Sequence, residues 1–226
     1  MEKYKEDFIK FLIESKALAF GEFTLKSGRK SPYFINTGMF DSGEKIAKLG
    51  FYYANKITKE FSKKDYDIIY GPAYKGIPLA LTTAISLAKD FGIDKGYSFN
   101  RKEEKEHGDK GAVVGAKIKE GAKIIILDDV FTTGETKEET IELLNSIGKI
   151  EYVCVLIAVD RKEVGVEGSS AIKEFEKKHG IPVKSVVNIR EIIEFLHNKE
   201  INGKVYVNDE VKKEMEAYLE KYGVKE

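Results

Sequence analysis

Two adjacent carboxylates, Asp128 and Asp129, carry the clearest chemical signal in this sequence. They follow four consecutive large aliphatic residues, 124–127, a run that is too apolar for a half-exposed strand and too short for a helix. The run therefore predicts a parallel β-strand that is buried on both faces. In open α/β sheets, ligands bind at the carboxyl ends of the strands, so we expect the two aspartates at a ligand-binding edge.

The residues after the aspartates have the composition of a phosphate-binding loop. Gly134 permits a positive φ and a close approach of backbone N–H groups to an anion. Thr132, Thr133 and Thr136 add hydroxyl donors, and Thr136 with Glu139 has the spacing of a capping box at a helix start. Because the carboxylates would repel the same phosphate, we expect them to accept hydrogen bonds from sugar hydroxyls or to hold a hard cation such as magnesium. The combination suits a phosphorylated sugar.

Composition excludes several classes of protein. Lys+Arg and Asp+Glu both total 38, so the formal net charge is zero, and no global attraction to nucleic acid or an anionic membrane is expected. No apolar run is long enough to cross a bilayer, and the first six residues lack the apolar core of a signal peptide, which predicts a cytoplasmic protein. The single cysteine, Cys154, lies in an apolar pattern and is expected to be a small buried hydrophobic residue. With 226 residues, we expect a single domain with an N-terminal addition.

Hydrophobic patterns place further strands and helices around the central strand. Alternation of the two indicates an α/β protein whose mainly parallel sheet has helices on both faces. Predicted strands cover residues 67–70, 95–99, 152–159 and 183–187. Predicted helices cover residues 4–16, 42–60, 79–91, 171–178 and 191–198. Another helix follows the Thr136 cap and carries Ile141, Leu144 and Ile147, and a last one is capped by Asn208. A polar turn at residues 26–31 predicts a hairpin, whose basic residues are expected to be solvated: Lys26, Arg29 and Lys30.

Three other segments carry candidate anion-binding groups. Lys75 lies in a strand-to-helix turn that leads to the same sheet edge as Asp128, where it is placed to meet a second phosphate group. Arg161 follows the strand after the central one, and its guanidinium suits a carboxylate because it makes two parallel hydrogen bonds. Residues 100–111 are almost free of apolar side chains, which on composition alone favours a solvated connection. A long charged loop in a compact domain also suggests an active-site lid, with these anion-binding groups: Arg101, Lys102, Lys105 and His107.

Four blocks of the chain resemble the orotate phosphoribosyltransferases of pyrimidine synthesis. They are residues 20–34, 70–78, 98–107 and 127–136, and they occur in the family's order. The acidic loop alone is common to phosphoribosyltransferases, whereas the first two blocks are more specific to the orotate branch. The resemblance implies the type I phosphoribosyltransferase fold in one domain. Residues 1–40 would form a hood with a base-binding hairpin, residues 65–190 the core, and residues 100–111 a mobile catalytic lid.

The resemblance also implies a reaction and a site. The reaction is the transfer of the ribose 5-phosphate group from 5-phospho-α-D-ribose 1-diphosphate (PRPP) to orotate, giving orotidine 5′-monophosphate and diphosphate in pyrimidine (UMP) synthesis. The residues implied to bind PRPP are Lys26, Tyr74, Lys75, Arg101, Lys102, Lys105, His107, Asp128, Asp129, Val130, Phe131, Thr132, Thr133, Gly134, Glu135 and Thr136. The catalytic group among them is Lys26, Lys105, His107, Asp128 and Asp129. The residues implied to surround orotate are Phe34, Ile35, Thr132 and Arg161.

A magnesium ion and a second subunit complete what the resemblance implies. Mg²⁺ would be held mainly through substrate and water near Asp128 and Asp129, and the lid would reach across the interface of a homodimer. The chain departs modestly from the family: Ile35 stands where an aromatic residue is common, and Phe131 and Glu135 replace smaller residues. Residues after about Asn198 resemble the family weakly and receive no functional assignment.

Two other functions stay open from the sequence. One is a regulatory protein that kept the fold, lost catalysis and binds nucleic acid; the zero net charge, the cations of the lid and the lack of a helix-turn-helix segment oppose it. The other is a purine phosphoribosyltransferase, which would share the acidic loop. Arg161 and the hairpin block favour a carboxylated base over a purine.

Overall fold

The computed structural model describes residues 1–25, 27–102, 112–131, 134–165 and 168–225. The strands within these ranges are β1 (Leu18–Thr24), β2 (Lys30–Ile35), β3 (Ile68–Tyr70), β4 (Gly96–Asn100), β5 (Val113–Gly115), β6 (Lys123–Leu127), β7 (Glu151–Asp160), β8 (Val183–Asn188), β9 (Glu200–Ile201) and β10 (Lys204–Val205). The helices are α1 (Lys3–Glu14), α2 (Gly43–Glu60), α3 (Gly76–Phe91), α4 (Glu135–Ile147), α5 (Ala171–His179), α6 (Ile189–Leu196) and α7 (Asp209–Tyr222), with a 3₁₀ turn at Thr37–Met39.

A six-stranded sheet forms the centre of the molecule, in the order β5-β4-β3-β6-β7-β8. β6 pairs in parallel with β3 on one side and with β7 on the other, and β8 and β4 extend the parallel arrangement. Among the strands of the described residues, the pairing of β4 with β5 is the one antiparallel pairing in this sheet. The predicted mainly parallel α/β sheet is confirmed. The N-terminal hairpin is also confirmed, as the antiparallel pair β1–β2.

The strand before the two aspartates is buried on both faces, as its composition predicts. All four residues from Ile124 to Leu127 are fully buried. Ile125 and Leu127 belong to a core shared with α1, α2, α6 and α7, whereas Ile124 and Ile126 face a second core shared with α4 and α5. Because helices cover both faces of β6, a ligand can reach this strand only at its end, and in open α/β sheets that is the carboxyl end.

Polar residues define the ends of several helices. The Ser42 hydroxyl accepts from the backbone N–H of Lys45 at the start of α2. Asn208 caps α7 through the N–H of Val211, as predicted. The predicted capping box of Thr136 and Glu139 is wrong. α4 begins at Glu135 with Gly134 as its N-cap at φ 87°, because the left-handed glycine itself turns the chain into the helix.

Other predictions from the pattern differ at the margins of elements. α3 begins at Gly76, three residues before the predicted start, because Pro78 is compatible with the first turn of a helix. The short strand β5 and the small hairpin β9–β10 carry too few residues to show a period. Cys154 is buried, as predicted, and burial raises the pKa of its thiol to about 12. Among the described residues, no helix combines the length and the apolar character that crossing a bilayer requires.

Candidate active site

The backbone after β6 holds the two aspartates in place. Asp128 and Asp129 are each 7% exposed. The N–H of Asp128 donates to the carbonyl of Leu156 (3.0 Å), and the carbonyl of Asp129 accepts from the N–H of Ala158 (3.1 Å), so the pairing with β7 continues past the strand end. The Tyr53 hydroxyl donates to the carbonyl of Asp128 at 2.7 Å. The carboxylates therefore project from a rigid backbone.

Asp128 forms a buried ion pair with Lys137, which lies in the first turn of α4. The Lys137 ammonium also donates to the carbonyl of Val130 (2.9 Å) and lies 5.2 Å from the centre of the Phe131 ring. Burial raises the pKa of Asp128, and the attraction of Lys137 opposes that rise. Sequence reasoning missed Lys137, because a lysine in a charged helical segment is usually solvated. Its position three residues after the loop glycine was the available signal.

Asp129 has a different cation. Its Oδ2 accepts hydrogen bonds from the Lys75 ammonium (2.8 Å) and from the Thr37 hydroxyl (2.5 Å). Burial raises the pKa of Asp129, but the bonds from Lys75 and Thr37 outweigh burial and leave this pKa below its ordinary value. Lys75 thus lies at the edge that the sequence predicts for it. Nothing in the sequence pattern pointed to Thr37.

The turn that carries Tyr74 and Lys75 is compact because two backbone segments nearly touch. A Cβ on Gly71 would lie 1.9 Å from the carbonyl oxygen of Gly76, so a side chain cannot be accommodated there. The N–H of Ala73 donates to Oδ1 of Asn100 (2.8 Å), which joins the turn to the end of β4. The side chain of Tyr74 is exposed. The turn therefore presents exposed groups from a fixed backbone.

The acidic loop meets α4 at a positive helix end. Glu135 and Thr136 are exposed in the first turn of α4, and Gly134 is buried behind them. The carbonyl of Gly134 accepts from the N–H groups of Lys137 and Glu138. Free N–H groups and the helix dipole favour an anion at this end. The predictions for Thr132 and Thr133 lie outside the described residues.

The hairpin brings an aromatic surface to the same region. Phe34 is 38% exposed and stacks on Phe23 with ring centres 5.5 Å apart. Ile35 is partly buried against the core. Two residues further on, Thr37 reaches Asp129, so the exit of β2 connects the aromatic surface to the carboxylates. A flat ring such as a pyrimidine base could pack against Phe34.

Arg161 lies at the end of β7 beside this hairpin and is largely buried. Its Nη2 donates to Oε1 of Glu163 (2.7 Å), and its guanidinium lies 4.4 Å from the centre of the Tyr33 ring. The Tyr33 hydroxyl donates to the same Glu163 oxygen at 2.5 Å. Burial lowers the pKa of Arg161, but the neighbouring Tyr33 and Glu163 raise it above its ordinary value. The sequence predicts that the guanidinium of Arg161 suits a carboxylate, but it gave no sign of the partner Glu163.

The lid and the hairpin turn are described only in part. Arg101 and the exposed Lys102 lie at the start of the predicted lid. The N–H of Arg101 donates to the carbonyl of Ala112. The predictions for Lys26, Lys105 and His107 lie outside the described residues. The expectation of a solvated Arg29 is wrong, because this side chain donates to two carbonyl oxygens of residues 164 and 165.

Comparisons with known proteins agree with this geometry. The model of the phosphoribosyl transferase domain family matches residues 37–179. The orotate phosphoribosyltransferase of Clostridium botulinum (strain Alaska E43) is 45% identical over 225 residues, which cover 100% of both chains. That of Bifidobacterium adolescentis is 47% identical over 222 residues, 96% of each chain.

A solved structure shows the same relationship in three dimensions. The crystal structure of orotate phosphoribosyltransferase from Francisella tularensis matches 96% of this chain and 99% of its own, with a TM-score of 0.83 and 37% identity. The match includes the mainly parallel sheet and the N-terminal helix and hairpin described above. The chain therefore belongs to the orotate phosphoribosyltransferase family.

Proposed function

We propose that this chain transfers the ribose 5-phosphate group of PRPP to N1 of orotate, giving orotidine 5′-monophosphate and diphosphate. The observation that carries the proposal is the pairing of two functional groups at one sheet edge. Asp129 suits the hydroxyls of a sugar and its partner Lys75 suits a phosphate, whereas Arg161, stacked on Tyr33, suits a carboxylated base. Membership of the orotate phosphoribosyltransferase family supports the same assignment.

The donor is assigned to the acidic loop and the two turns beside it. Asp128 and Asp129 accept hydrogen bonds from the ribose hydroxyls, and the loop up to Thr136 holds the 5-phosphate at the start of α4. Tyr74 and Lys75 face the diphosphate. This division places anionic parts of PRPP against cations and helix N–H groups, and its hydroxyls against the carboxylates.

The Lys75–Asp129 pair supplies a specific step in donor binding. The Lys75 side chain is 67% exposed, so it can rotate toward an arriving diphosphate. Asp129, whose backbone is fixed by β7, can then accept a hydrogen bond from a ribose hydroxyl at Oδ2 in place of the one from Lys75, beside the bond from Thr37. When Lys75 exchanges Asp129 for the diphosphate, both side chains become available to bind the donor.

Catalysis of this transfer depends mainly on positioning the two substrates and on stabilising the charges that develop. As the bond from C1 to the diphosphate breaks, positive charge develops on the ribose and negative charge on the leaving group. Lys75 and the predicted lid groups Lys105 and His107 stabilise the leaving group, and closure of the lid excludes water. The aromatic surface of Phe34 and the guanidinium of Arg161 hold orotate with N1 toward C1.

A magnesium ion fits the oxygen donors at this site. Magnesium prefers carboxylate, phosphate and water oxygens, and it commonly uses one or two carboxylates together with substrate phosphates. Since Asp128 is paired with Lys137 and Asp129 with Lys75, these residues would hold the ion mainly through water and substrate. When bound, the ion would neutralise charge on the diphosphate.

A homodimer with shared lids is part of the proposal. An exposed apolar face made by Leu81, Ile85 and Tyr97 lies along α3 and β4, and β4 leads into the predicted lid. Burial of this face against a second copy would place the lid next to the partner's site. Sedimentation analysis at micromolar concentration is expected to give the mass of two chains, and a mass of one chain would refute the dimer.

The cytoplasmic location stays a prediction.

A panel of acceptor bases tests the proposed function. Purified protein is assayed with PRPP and with orotate, uracil, hypoxanthine or adenine, each with and without magnesium, and diphosphate release is measured. We expect turnover with orotate in the presence of magnesium, and at least about 10²-fold lower kcat/KM with bases that lack the carboxylate. Turnover of a purine in preference to orotate would overturn the assignment.

A further inference from the structure

Three segments that are distant in sequence meet beside Arg161. They are the β1–β2 hairpin, residues 161–165 after β7, and the end of α7 with residues 223–224. The third segment received no function from the sequence. Its contacts show how the protein holds the side chains of the base-binding region.

Backbone pairing joins the C-terminal segment to residues 162–164. The N–H of Val164 donates to the carbonyl of Tyr222, and the N–H of Val224 donates to the carbonyl of Lys162, both at 2.8 Å. Glu163 lies between these two bonds and forms an antiparallel bridge with Gly223. The backbone of Glu163 is therefore held by the last turn of α7 and the residues after it.

Arg29 fastens the hairpin to the same place. Its Nη1 donates to the carbonyl of Val164 and its Nη2 to the carbonyl of Gly165, both at 2.6 Å. The guanidinium lies 4.8 Å from the centre of the Tyr222 ring. Hydrogen bonds from a charged donor are stronger than neutral ones, so this contact fixes the hairpin against residues 161–165.

The side chain of Glu163 then links the hairpin to Arg161. It is 12% exposed, and its Oε1 accepts from both Arg161 Nη2 and the Tyr33 hydroxyl. Tyr33 is fully buried, and its ring packs edge to face with the ring of Tyr218 on α7, with ring centres 5.9 Å apart. Arg161 therefore has a carboxylate on one edge and an aromatic ring under one face.

This arrangement leaves a defined part of Arg161 for a ligand. Across the described residues, Nη2 is the guanidinium nitrogen with hydrogen-bond partners, namely Glu163 and, at 3.5 Å, the Ser31 hydroxyl. The 2.7 Å bond to Glu163 uses one of the two N–H groups of Nη2. An edge that joins Nη2 to Nη1 or to Nε still has two N–H groups to offer, and these match the two oxygens of a carboxylate.

We propose that Glu163, held by the C-terminal segment, is a positioning residue that orients Arg161 toward the carboxylate of the base. The inference rests on the proposed function, in which Arg161 binds orotate. It assigns a role in acceptor recognition to the end of α7 and residues 223–224.

Steady-state kinetics of two Glu163 variants test the proposal. Glu163→Ala removes the acceptor for Arg161 and Tyr33. We expect KM for orotate to rise about tenfold, because the loss of one charge-assisted hydrogen bond is of that size. KM for PRPP should stay within about twofold of the parent value. Glu163→Gln keeps an acceptor oxygen of the same reach, so KM for orotate is expected to return to within about threefold of the parent. Lys30→Ala, an exposed change in the same hairpin, is the matched control.

Two variants that leave Glu163 intact test the C-terminal link. Deletion of residues 223–226 removes the Glu163–Gly223 bridge and the Val224 bond, and Arg29→Ala releases the hairpin without shortening the chain. Each is expected to raise KM for orotate severalfold and to leave KM for PRPP unchanged. If the deletion fails to fold, Arg29→Ala carries the test alone.

The outcomes separate this proposal from the proposed function. Equal rises in the KM of both substrates, or an unchanged KM for orotate in Glu163→Ala, would overturn the positioning role. If the parent enzyme itself does not use orotate in the base panel, the proposed function fails instead.

Discussion

The donor side and the acceptor side of this site are built in different ways. The centre of the donor side is continuous in sequence: β6, the two aspartates, the loop glycine and Lys137 lie within residues 123–137, and Lys75 and Thr37 join it from two other turns. The acceptor side is assembled from the hairpin near residue 33, from Arg161 and Glu163, and from α7 near residue 218. Under the proposed function, chemistry common to many transferases is encoded locally, whereas selectivity for orotate depends on tertiary contacts.

The two sides also treat charge differently. On the donor side, two adjacent buried carboxylates each have a lysine from a separate element, Lys137 for Asp128 and Lys75 for Asp129. On the acceptor side, one buried arginine has one carboxylate and one aromatic ring. Changes on the donor side should therefore affect every acceptor base alike, and changes on the acceptor side should affect orotate specifically.

The largest expected effect comes from Asp129→Asn on the donor side. The change keeps the shape of the side chain but removes the negative charge, so Lys75 loses its partner and the ribose hydroxyls lose an acceptor. We expect kcat/KM to fall about 10³-fold for every base that the enzyme accepts. Asp41→Asn, in an exposed ion pair with Lys45, is the control. A loss confined to orotate would break the distinction between the two sides.

The next effect concerns stability on the donor side. Lys137→Met leaves Asp128 buried without its cation, and we expect the free energy of unfolding in urea to fall by about 3 kcal/mol. Lys178→Met, which removes an exposed pair with Glu138, should cost less than about 1 kcal/mol. Equal losses in the two variants would show that Lys137 is not a structural support of the acidic loop.

Arg161→Gln gives the largest effect expected on the acceptor side. The change removes the charge and the paired donors that suit a carboxylate, so kcat/KM for orotate should fall about 10²-fold. The fall should come from a higher KM for orotate, with KM for PRPP unchanged. Arg190→Gln on the exposed face of α6 serves as the control. A rise in KM for PRPP of similar size would place Arg161 on the donor side.

The smallest effect lies outside both sides, at Glu60. Hydrogen bonds from Lys184 and Lys56 lower the pKa of Glu60 from 4.5 to about 2. Because the folded-state pKa is depressed, the stabilisation is present above about pH 4.5 and is lost as the pH falls through about 2. Glu60→Gln should reduce the free energy of unfolding by about 1 kcal/mol or less at pH 7, and the difference should shrink below about pH 4.5 and vanish only below about pH 2. Kinetics with both substrates should stay unchanged.

Sequence reasoning recovers the donor side well because its signals are local. The apolar run of residues 124–127 predicts a buried strand, and the structure has that strand with both acids at its carboxyl end. Lys75 also lies where its strand-to-helix turn indicates. The six-stranded sheet follows from alternating periods, except for β5, which has three residues and no visible period.

The acceptor side was recovered only in outline. The position of Arg161 follows from its place after a strand, but no spacing rule links it to Glu163, Tyr33 or the end of α7. Arg29 has the sequence context of a solvated turn, and only the folded chain brings it to the carbonyls of residues 164 and 165. Contacts between residues more than 100 positions apart carry no local periodic signal.

The antiparallel pairing of β4 with β5 has a consequence for how this family can vary. The N–H of Arg101 donates to the carbonyl of Ala112, so the chain leaves the sheet and returns to it at neighbouring points. Because closing a loop between fixed ends costs only about 0.6 kcal/mol more for each doubling of its length, residues can be inserted or removed here with little change in folding free energy. Folding free energy therefore sets little limit on the length of this segment, and under the proposed function the reach of Lys105 and His107 to the diphosphate sets it instead.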